Sequence, residues 1–227
     1  MLTRHHHDLT YLEYATPTLG NNAPLLVMLH GYGSNEKDLI SLAPMLPDGL
    51  RIVSVRAPLT LAPEMYAWFS LEFLADGIRV DEAEARAACE RFVLFLRDLI
   101  TRYQPAGSKV FLMGFSQGSV MSYLTAFLAP ELLHGVIACS GQLPEKNMPS
   151  ESAFALLRTI PFVVLHGIYD DILPIEKGRH AHAWLQQQVD DLTYREYPIA
   201  HQIADDGIAL ISSWLTERLE KVGNSRL

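Results

Sequence analysis

The chain has 227 residues, of which 49% are hydrophobic and 19% charged, and its formal net charge is −8. This composition is that of an ordinary globular protein and excludes a low-complexity, collagen-like or disordered chain. The acidic balance argues against a nucleic-acid partner, and no apolar run is long enough for stable membrane insertion.

A single domain over residues 1–227 is expected, because the sequence shows no repeat, linker or shift of composition. Residues 1–8, which include a run of three histidines, are predicted to be a flexible N-terminus rather than a metal site. Cys89 and Cys139 fit small buried hydrophobes better than a disulfide pair, and their spacing matches no metal site. With no signal-peptide pattern, these features predict a cytoplasmic protein without a bound metal.

Short apolar runs alternate with helical patterns from residue 25 onward. Strands are predicted at residues 25–29, 51–55, 110–113, 135–139, 162–165 and 192–197, with a looser edge strand at 9–14. Helical patterns cover residues 39–46, 81–103, 117–128, 153–157, 175–189 and 203–219. The alternation predicts an α/β protein with a mostly parallel sheet and helices on both faces. The interval between residues 139 and 162 is too short for a large cap domain.

Residues 59–77 have no steady periodicity and are rich in large apolar side chains. A long apolar connection is either packed as a satellite of the core or serves as a wall of a substrate pocket. We favour the pocket. Its predicted lining residues are Met65, Trp68, Phe69, Phe73 and Leu74.

The stretch Gly114-Phe115-Ser116-Gln117-Gly118 joins a predicted strand to a predicted helix. A serine between two glycines at such a turn is the nucleophile-elbow pattern G-x-S-x-G, although a chance glycine-serine turn can match it. The backbone amide of Gln117, at the helix start, would point to where an oxyanion forms. Ser116 is therefore the candidate nucleophile.

A serine nucleophile needs a base and a group that orients the base. In parallel α/β sheets the functional residues lie beyond the carboxyl ends of the strands. This rule points to His201 as the base and to Asp170 or Asp171 as the orienting acid, in the chain order of α/β-hydrolases. Spacing alone leaves the two aspartates open. The glycine-rich loop after the first buried strand suggests the backbone N–H of Tyr32 as a second oxyanion donor.

Several short motifs occur together and in a fixed order. They are His30-Gly31-Tyr32-Gly33, Arg56-Ala57-Pro58, Trp68-Phe69, the elbow, Ser140-Gly141, His166-Gly167-x-x-Asp170 and Ala200-His201. Over residues 24–219 this set resembles the phospholipase/carboxylesterase family of α/β-hydrolases, which includes the acyl-protein thioesterases. The family usually has glycine before the last histidine, where this chain has Ala200.

The resemblance implies an α/β-hydrolase fold and an esterase that needs no cofactor. It implies Ser116 as nucleophile, Asp170 as acid, His201 as base, and Tyr32 and Gln117 as oxyanion donors. The expected substrates are small-molecule esters of short to medium acyl chains, cleaved through an acyl-enzyme. An acyl-protein thioesterase or lysophospholipase with the same chemistry is the alternative, and a catalytically silent binding protein is a remote one. Homodimers are known in the family, which leaves that state open here.

Overall fold

The computed structural model describes residues 1–16, 19–74 and 77–220. The strands are β1 Leu2–His6, β2 Thr10–Tyr14, β3 Leu25–Leu29, β4 Arg51–Val55, β5 Leu59–Ala62, β6 Met65–Ala67, β7 Leu71–Leu74, β8 Gly77–Val80, β9 Val110–Phe115, β10 Gly135–Cys139, β11 Phe162–Gly167 and β12 Leu192–Tyr197. The α-helices are α1 Glu82–Tyr103, α2 Gln117–Leu128, α3 Glu151–Leu157, α4 Ile175–Gln188 and α5 Asp205–Glu220. Short 3-10 helices occupy Leu39–Met45, Ala106–Ser108 and Pro130–Leu132.

The central sheet has eight strands in the order β1-β2-β4-β3-β9-β10-β11-β12. The strands from β4 to β12 in that order run parallel, whereas β2 is antiparallel to β4 and β1 is antiparallel to β2. Strands β3 and β10 are buried along their whole length, as their uninterrupted apolar sequences require in a sheet covered on both faces. The predicted, mostly parallel sheet is confirmed.

Each face of the sheet carries its own hydrophobic core. One core joins the sheet to α1, α2 and α4, and the other joins it to α5 and to the 3-10 helix Leu39–Met45. Helix α1 begins where the carboxylate of Asp81 accepts hydrogen bonds from the amides of Ala83 and Glu84. None of the helices in the described part of the chain is both long and apolar enough to cross a bilayer.

The N-terminus differs from the sequence-based expectation. Leu2–His6 form the edge strand β1, so the segment predicted to be flexible is part of the sheet, and β2 is an inner strand. His5 stacks on Tyr11, and its Nε2 lies 2.8 Å from Oε2 of Glu13. Strand β1 is held by its antiparallel pairing with β2 and by these polar contacts, so it needs no hydrophobic pattern in its sequence.

Residues 59–74 and 77–80 also differ from the expected irregular connection. They form two short antiparallel hairpins, β5-β6 and β7-β8, and Tyr66 pairs with Ser34 in an isolated bridge. The hairpins lie between β4 and α1 in the chain. The segment between β10 and β11 contains α3 of seven residues, so the site at the carboxyl ends of the strands has no large cap over it in the described part of the chain.

Candidate active site

Ser116 lies between the end of β9 and the start of α2 in a strained backbone conformation, with φ 53° and ψ −116°. A residue other than glycine rarely adopts a positive φ, and strain of this kind persists only where surrounding contacts impose it. Here the amide of Ser116 donates to the carbonyl oxygen of Cys139 at 2.9 Å, and its own carbonyl accepts from the amide of Ser119 at 2.9 Å. The turn therefore holds the serine at the carboxyl edge of the sheet.

The two glycines of the elbow allow this turn to form. A Cβ on Gly114 would lie 2.1 Å from the carbonyl oxygen of Gly118, and a Cβ on Gly118 would lie 1.9 Å from that of Leu29. Both distances are far below van der Waals contact, and the obstructing atoms are backbone atoms that cannot rotate away. Glycine at both positions is what lets α2 pack directly against β9 and β3.

Asp170 and His201 form a close pair beyond the ends of β11 and β12. His201 Nδ1 lies 2.7 Å from Oδ2 of Asp170, whose side chain is fully buried. The other carboxylate oxygen accepts hydrogen bonds from the amides of Ile172 and Leu173 at 3.0 and 2.8 Å. Since a carboxylate only accepts, Nδ1 carries the hydrogen and Nε2 is left as the basic nitrogen. Asp171, the alternative from spacing, is exposed.

His166 is a buried neighbour of this pair whose role the sequence did not indicate. Its Nε2 donates to the carbonyl oxygen of Leu173 at 2.8 Å and lies 3.4 Å from Oδ2 of Asp170. Gly178 makes space for the ring, because a Cβ there would lie 2.7 Å from His166 Nδ1. His166 thus packs against the loop that carries Asp170. The sequence feature that could have indicated this role is the position of His166 at the carboxyl end of β11.

Ser116 and His201 line the same cavity. The imidazole ring of His201 packs against the ring of Phe115, with 4.9 Å between the two ring centroids. The hydrogen bonds within the described residues do not include one between Ser116 Oγ and His201. Catalytic hydrogen bonds are often long in unliganded enzymes and shorten when substrate binds. The structure brings Asp170 and His201 into direct contact, and Ser116 and His201 line one cavity.

The loop after β3, which carries Tyr32, is anchored by His30. His30 Nδ1 donates to the carbonyl oxygen of Gly31 at 2.7 Å, and Nε2 accepts from the amide of Ala57 at 3.0 Å. Its own carbonyl accepts from Trp68 Nε1 at 2.9 Å. Burial lowers the pKa of His30 below its ordinary value, against the opposing effect of the Gly31 hydrogen bond. A neutral, buried His30 is suited to hold this loop rather than to transfer protons.

A buried ion-pair cluster anchors the far end of the same loop. Both oxygens of the Glu36 carboxylate accept from the Arg56 guanidinium at 2.6 Å, and Arg4 of β1 donates to it at 2.8 Å. Arg56 also lies over the ring of Tyr66, at 4.4 Å from the ring centroid. Burial would raise the pKa of Glu36, but the hydrogen bonds and charge of Arg56 outweigh it and hold the pKa below its ordinary value.

Gln117 connects the elbow to the segment between β6 and β7. Its side-chain oxygen accepts from the amide of Trp68 at 2.9 Å, and its side-chain nitrogen donates to the carbonyl of Phe69 at 2.7 Å. Gln117 is also the first residue of α2, where amides have no acceptor within the helix. The sequence predicted a role only for the backbone amide of Gln117. In the structure its side chain also holds the Trp68–Phe69 backbone in place beside the site.

The cavity beside Ser116 has a volume of about 290 Å³. Its lining residues are Tyr32, Phe69, Leu71, Ile78, Val80, Ser116, Gln117, Val120, Gln142, Ile172, Leu173 and His201. A larger cavity of about 620 Å³ is lined by residues 16, 19–23 and 48–49, which precede β3 and β4 and so lie at the opposite end of the sheet. A third cavity of about 280 Å³ also touches His201, but Ser116 lines the 290 Å³ cavity.

The predicted pocket residues from the 59–77 segment need correction. Trp68 and Phe69 are both 1% exposed and both belong to the core, but Phe69 lines the cavity and Trp68 does not. The Trp68 ring instead packs nearly perpendicular to the ring of Phe92. Met65 is exposed and does not line the cavity. Phe73 and Leu74 lie in β7 with side chains outside the described part of the structure. Within residues 59–77, Phe69 and Leu71 line the cavity, and the other lining residues from this region, Ile78 and Val80 of β8, lie just after that segment.

The fold is that of an α/β-hydrolase, a class of enzymes whose nucleophile lies at the strand-to-helix elbow. Residues 17–219 match the model of the phospholipase/carboxylesterase family, and the chain belongs to that family. The fold class, family and enzyme class expected from the sequence are confirmed, and family membership supports serine-hydrolase activity.

Similar proteins agree with this assignment. A probable carboxylesterase of Oryza sativa subsp. japonica is 27% identical over 86% of this chain and 88% of its own length. An acyl-protein thioesterase 1 of Emericella nidulans is 27% identical over 85% and 88%, respectively. The crystal structure of the Bacillus cereus carboxylesterase has a TM-score of 0.78 at 21% identity, covering 92% of this chain and 94% of that one; at that identity it shows the fold alone.

Proposed function

We propose that this protein is a serine esterase that cleaves carboxylic esters of short to medium acyl chains. In this proposal Ser116 is the nucleophile, His201 the general base and Asp170 the acid that orients it. The observation that carries the proposal is the 2.7 Å contact between His201 Nδ1 and a fully buried Asp170 carboxylate, beside the cavity that Ser116 lines. That contact leaves Nε2 as the nitrogen available to act as base.

The reaction would proceed through an acyl-enzyme. Ser116 Oγ attacks the ester carbonyl carbon while His201 Nε2 takes the hydroxyl proton. The tetrahedral intermediate collapses as His201 returns that proton to the alcohol oxygen, and the alcohol leaves. Water then attacks the acyl-enzyme with His201 again as base, and the carboxylic acid is released from Ser116. Asp170 stabilises the imidazolium formed in each half of the reaction.

Two backbone amides are proposed to stabilise the oxyanion. Gln117 is the first residue of α2, so its amide lies at the N-terminal end of the helix, which favours negative charge. The amide of Tyr32 belongs to the loop that His30 anchors through hydrogen bonds to Gly31 and Ala57. Removing one such donor typically costs a factor of roughly 10²–10³ in turnover.

The size of the cavity supports the chain-length part of the proposal. Its volume of about 290 Å³ lies at the lower end of the roughly 300–1,000 Å³ usual for small-molecule sites. Leu71, Ile78, Val80 and Val120 give it an apolar wall suited to an alkyl chain. A thioester would fit the same site and the same steps, and a relative named acyl-protein thioesterase makes that substrate class the alternative.

The proposal includes a small-molecule partner and a cytoplasmic location. Two free, buried cysteines support the location, because disulfides are rare in reducing compartments.

The test is hydrolysis of p-nitrophenyl esters from acetate to palmitate, with the matching acyl thioesters, by wild type, Ser116→Ala and Ser213→Ala. Ser213 is an exposed serine of α5 and serves as the control. We expect Ser116→Ala to lose a factor of about 10⁴ or more in kcat/KM, and the wild-type optimum to fall at short to medium chains. Equal rates in wild type and Ser116→Ala would contradict the proposal, and a preference for long-chain thioesters would move the substrate to that class.

A further inference from the structure

Gln142 places a neutral amide in a cavity wall that is otherwise mostly apolar. It follows β10 in the loop after Ser140-Gly141 and lines the cavity together with the proposed nucleophile and base. Its side chain is half-buried, so the carboxamide is neither free on the surface nor enclosed in the core.

The carboxamide of Gln142 makes no hydrogen bond within residues 1–16, 19–74 and 77–220. The other carboxamide of the cavity, that of Gln117, is fully used by the backbone of Trp68 and Phe69. Ser116 and His201 are committed to the proposed chemistry. Gln142 therefore offers the cavity a donor and an acceptor that the protein does not itself use.

The loop around Gln142 is fixed on both sides. A Cβ on Gly141 would lie 2.3 Å from Cβ of Ser119, so the backbone there lies directly against α2. Leu143 is buried, and Asn147 Nδ2 donates to the backbone carbonyl at the start of α1 at 3.0 Å. Because its neighbours are held, the backbone of Gln142 is fixed beside the cavity, and only the rotamers of its side chain remain to be ordered on binding.

The chemistry of this wall defines what it would recognise. Neither a Lys, Arg, Asp nor Glu is among the cavity lining residues of the described chain, so the lining favours an uncharged acyl group. A plain alkyl chain filling the cavity would displace water from the Gln142 amide and leave it unpaired, which is unfavourable. An acyl chain with a hydroxyl or oxo group would satisfy it.

We propose that Gln142 selects acyl groups that carry an uncharged hydrogen-bonding group, a hydroxyl or an oxo group, within a few carbons of the ester carbonyl. A Cβ on the adjacent Gly141 would lie 3.4 Å from the carbonyl oxygen of Ser116, so the backbone just before Gln142 lies close to that of the proposed nucleophile. The proposal rests on the esterase function proposed above and names its substrate class.

The test compares p-nitrophenyl 4-oxopentanoate with p-nitrophenyl pentanoate, which differ by one oxo group. We expect the ratio of their kcat/KM values, oxo over alkyl, to fall about tenfold from wild type to Gln142→Met, because methionine keeps the length and loses the amide. The alkyl ester should be cleaved faster by the variant than by wild type. The intrinsic reactivities of the two esters cancel when the ratio is compared between enzymes.

Val120→Ala is the matched control, since it changes the same cavity without changing its polar groups. It should alter both rates and leave their ratio within about twofold of wild type. An unchanged ratio in Gln142→Met, or an equal fall in Val120→Ala, would overturn the proposal.

A binding measurement separates this proposal from the esterase function. Ser116→Ala, with and without Gln142→Met, is titrated calorimetrically with 4-oxopentanamide and pentanamide. We expect the oxo amide to bind several-fold more tightly, and the second substitution to abolish the difference. If no ester or thioester is hydrolysed, the esterase function fails, whereas equal affinities for the two amides would refute the role of Gln142 by itself.

Discussion

The buried carboxylate of Asp170 accepts hydrogen bonds from two backbone amides and from His201. The amides of Ile172 and Leu173 orient one carboxylate oxygen, which leaves the other directed at the imidazole. A carboxylate held in this way can fix both the tautomer and the angle of the ring. Its neighbour Asp171 is exposed, and the two residues form a natural comparison.

We expect Asp170→Asn to lower kcat/KM by a factor of about 10³–10⁴, because an amide favours the wrong imidazole tautomer. Asp171→Asn should stay within about twofold of wild type, since its side chain takes no part in the pair. The measurement is steady-state hydrolysis of a short p-nitrophenyl ester by the two variants. A comparable loss in both would remove Asp170 from its proposed role.

Backbone packing at the elbow leads to a second prediction. Gly118→Ala would place a Cβ 1.9 Å from the carbonyl oxygen of Leu29, so α2 must move away from β3. We expect a loss of more than about 4 kcal/mol in the free energy of unfolding, measured with urea. Gly20→Ala is the control, because a Cβ there has no heavy atom of the described residues within 4 Å apart from its own chain neighbours. Similar midpoints of urea unfolding for Gly118→Ala and Gly20→Ala would contradict the packing argument.

The loop between β3 and β4 is held by contacts from separate elements. His30 anchors its start, and Glu36 joins it to Arg56 after β4 and to Arg4 of β1. A buried carboxylate is stable only when it is paired and hydrogen-bonded. The Glu36 carboxylate accepts hydrogen bonds from the guanidinium groups of both Arg4 and Arg56. The N-terminal strand therefore contributes to the loop that carries the proposed oxyanion donor Tyr32.

Removing the Glu36 carboxylate should weaken this loop. We expect Glu36→Ala to lower the free energy of unfolding by about 3 kcal/mol, because it leaves Arg56 without its buried partner. Glu64→Ala, at an exposed pair with Lys37, is the comparison, and its change should be much smaller. If the exposed substitution were the more costly of the two, the anchoring role of Glu36 would be wrong.

The same carboxylate gives stability a defined pH dependence. The pKa of Glu36 is lower in the folded protein than its ordinary value of 4.5, so the unfolded chain binds its proton more readily. Its contribution is fully present above that value and is lost as the pH falls through the folded pKa. We expect wild type to lose more stability than Glu36→Gln between pH 6 and roughly pH 3, as measured by urea unfolding. Parallel pH profiles for the two proteins would contradict this.

Both cysteines belong to the two cores rather than to the site. Cys89 packs in the core with α1 and α2, and Cys139 in the core with α5. Burial raises the pKa of each thiol to about 12. Because the thiolate is the reactive form, the folded protein should protect both.

We expect neither thiol to react with Ellman's reagent at pH 8 in the native protein, and both to react at once in guanidinium chloride. Ser213→Cys, which places a thiol on the exposed surface of α5, is the positive control and should react immediately without denaturant. Rapid labelling of native wild type would show that the cores open far more easily than their packing implies.

Much of the core and catalytic framework follows from local sequence patterns. The apolar strands, the helical stripes and the turn around Ser116 are each encoded within a few neighbouring residues. Strand β1 was not predicted, because its polar side chains are held by partners distant in the chain, such as Glu36 for Arg4. The hairpins β5-β6 and β7-β8 pair locally, but their strands have only three or four residues, too few for a clear alternating pattern. Trp68 was predicted to line the pocket because the sequence alone does not distinguish an aromatic side chain that faces a cavity from one that packs in the core.

The sequence by itself determined the fold class, the family and the candidates Ser116, Asp170 and His201, since the order of motifs and the ends of parallel strands restrict these strongly. Only the tertiary structure decided that the Asp170 carboxylate meets His201, that Phe69 rather than Trp68 faces the cavity, and that Gln142 lines it with an unused amide. Which side of a residue faces a cavity depends on contacts between segments far apart in the chain, and no local pattern records those contacts.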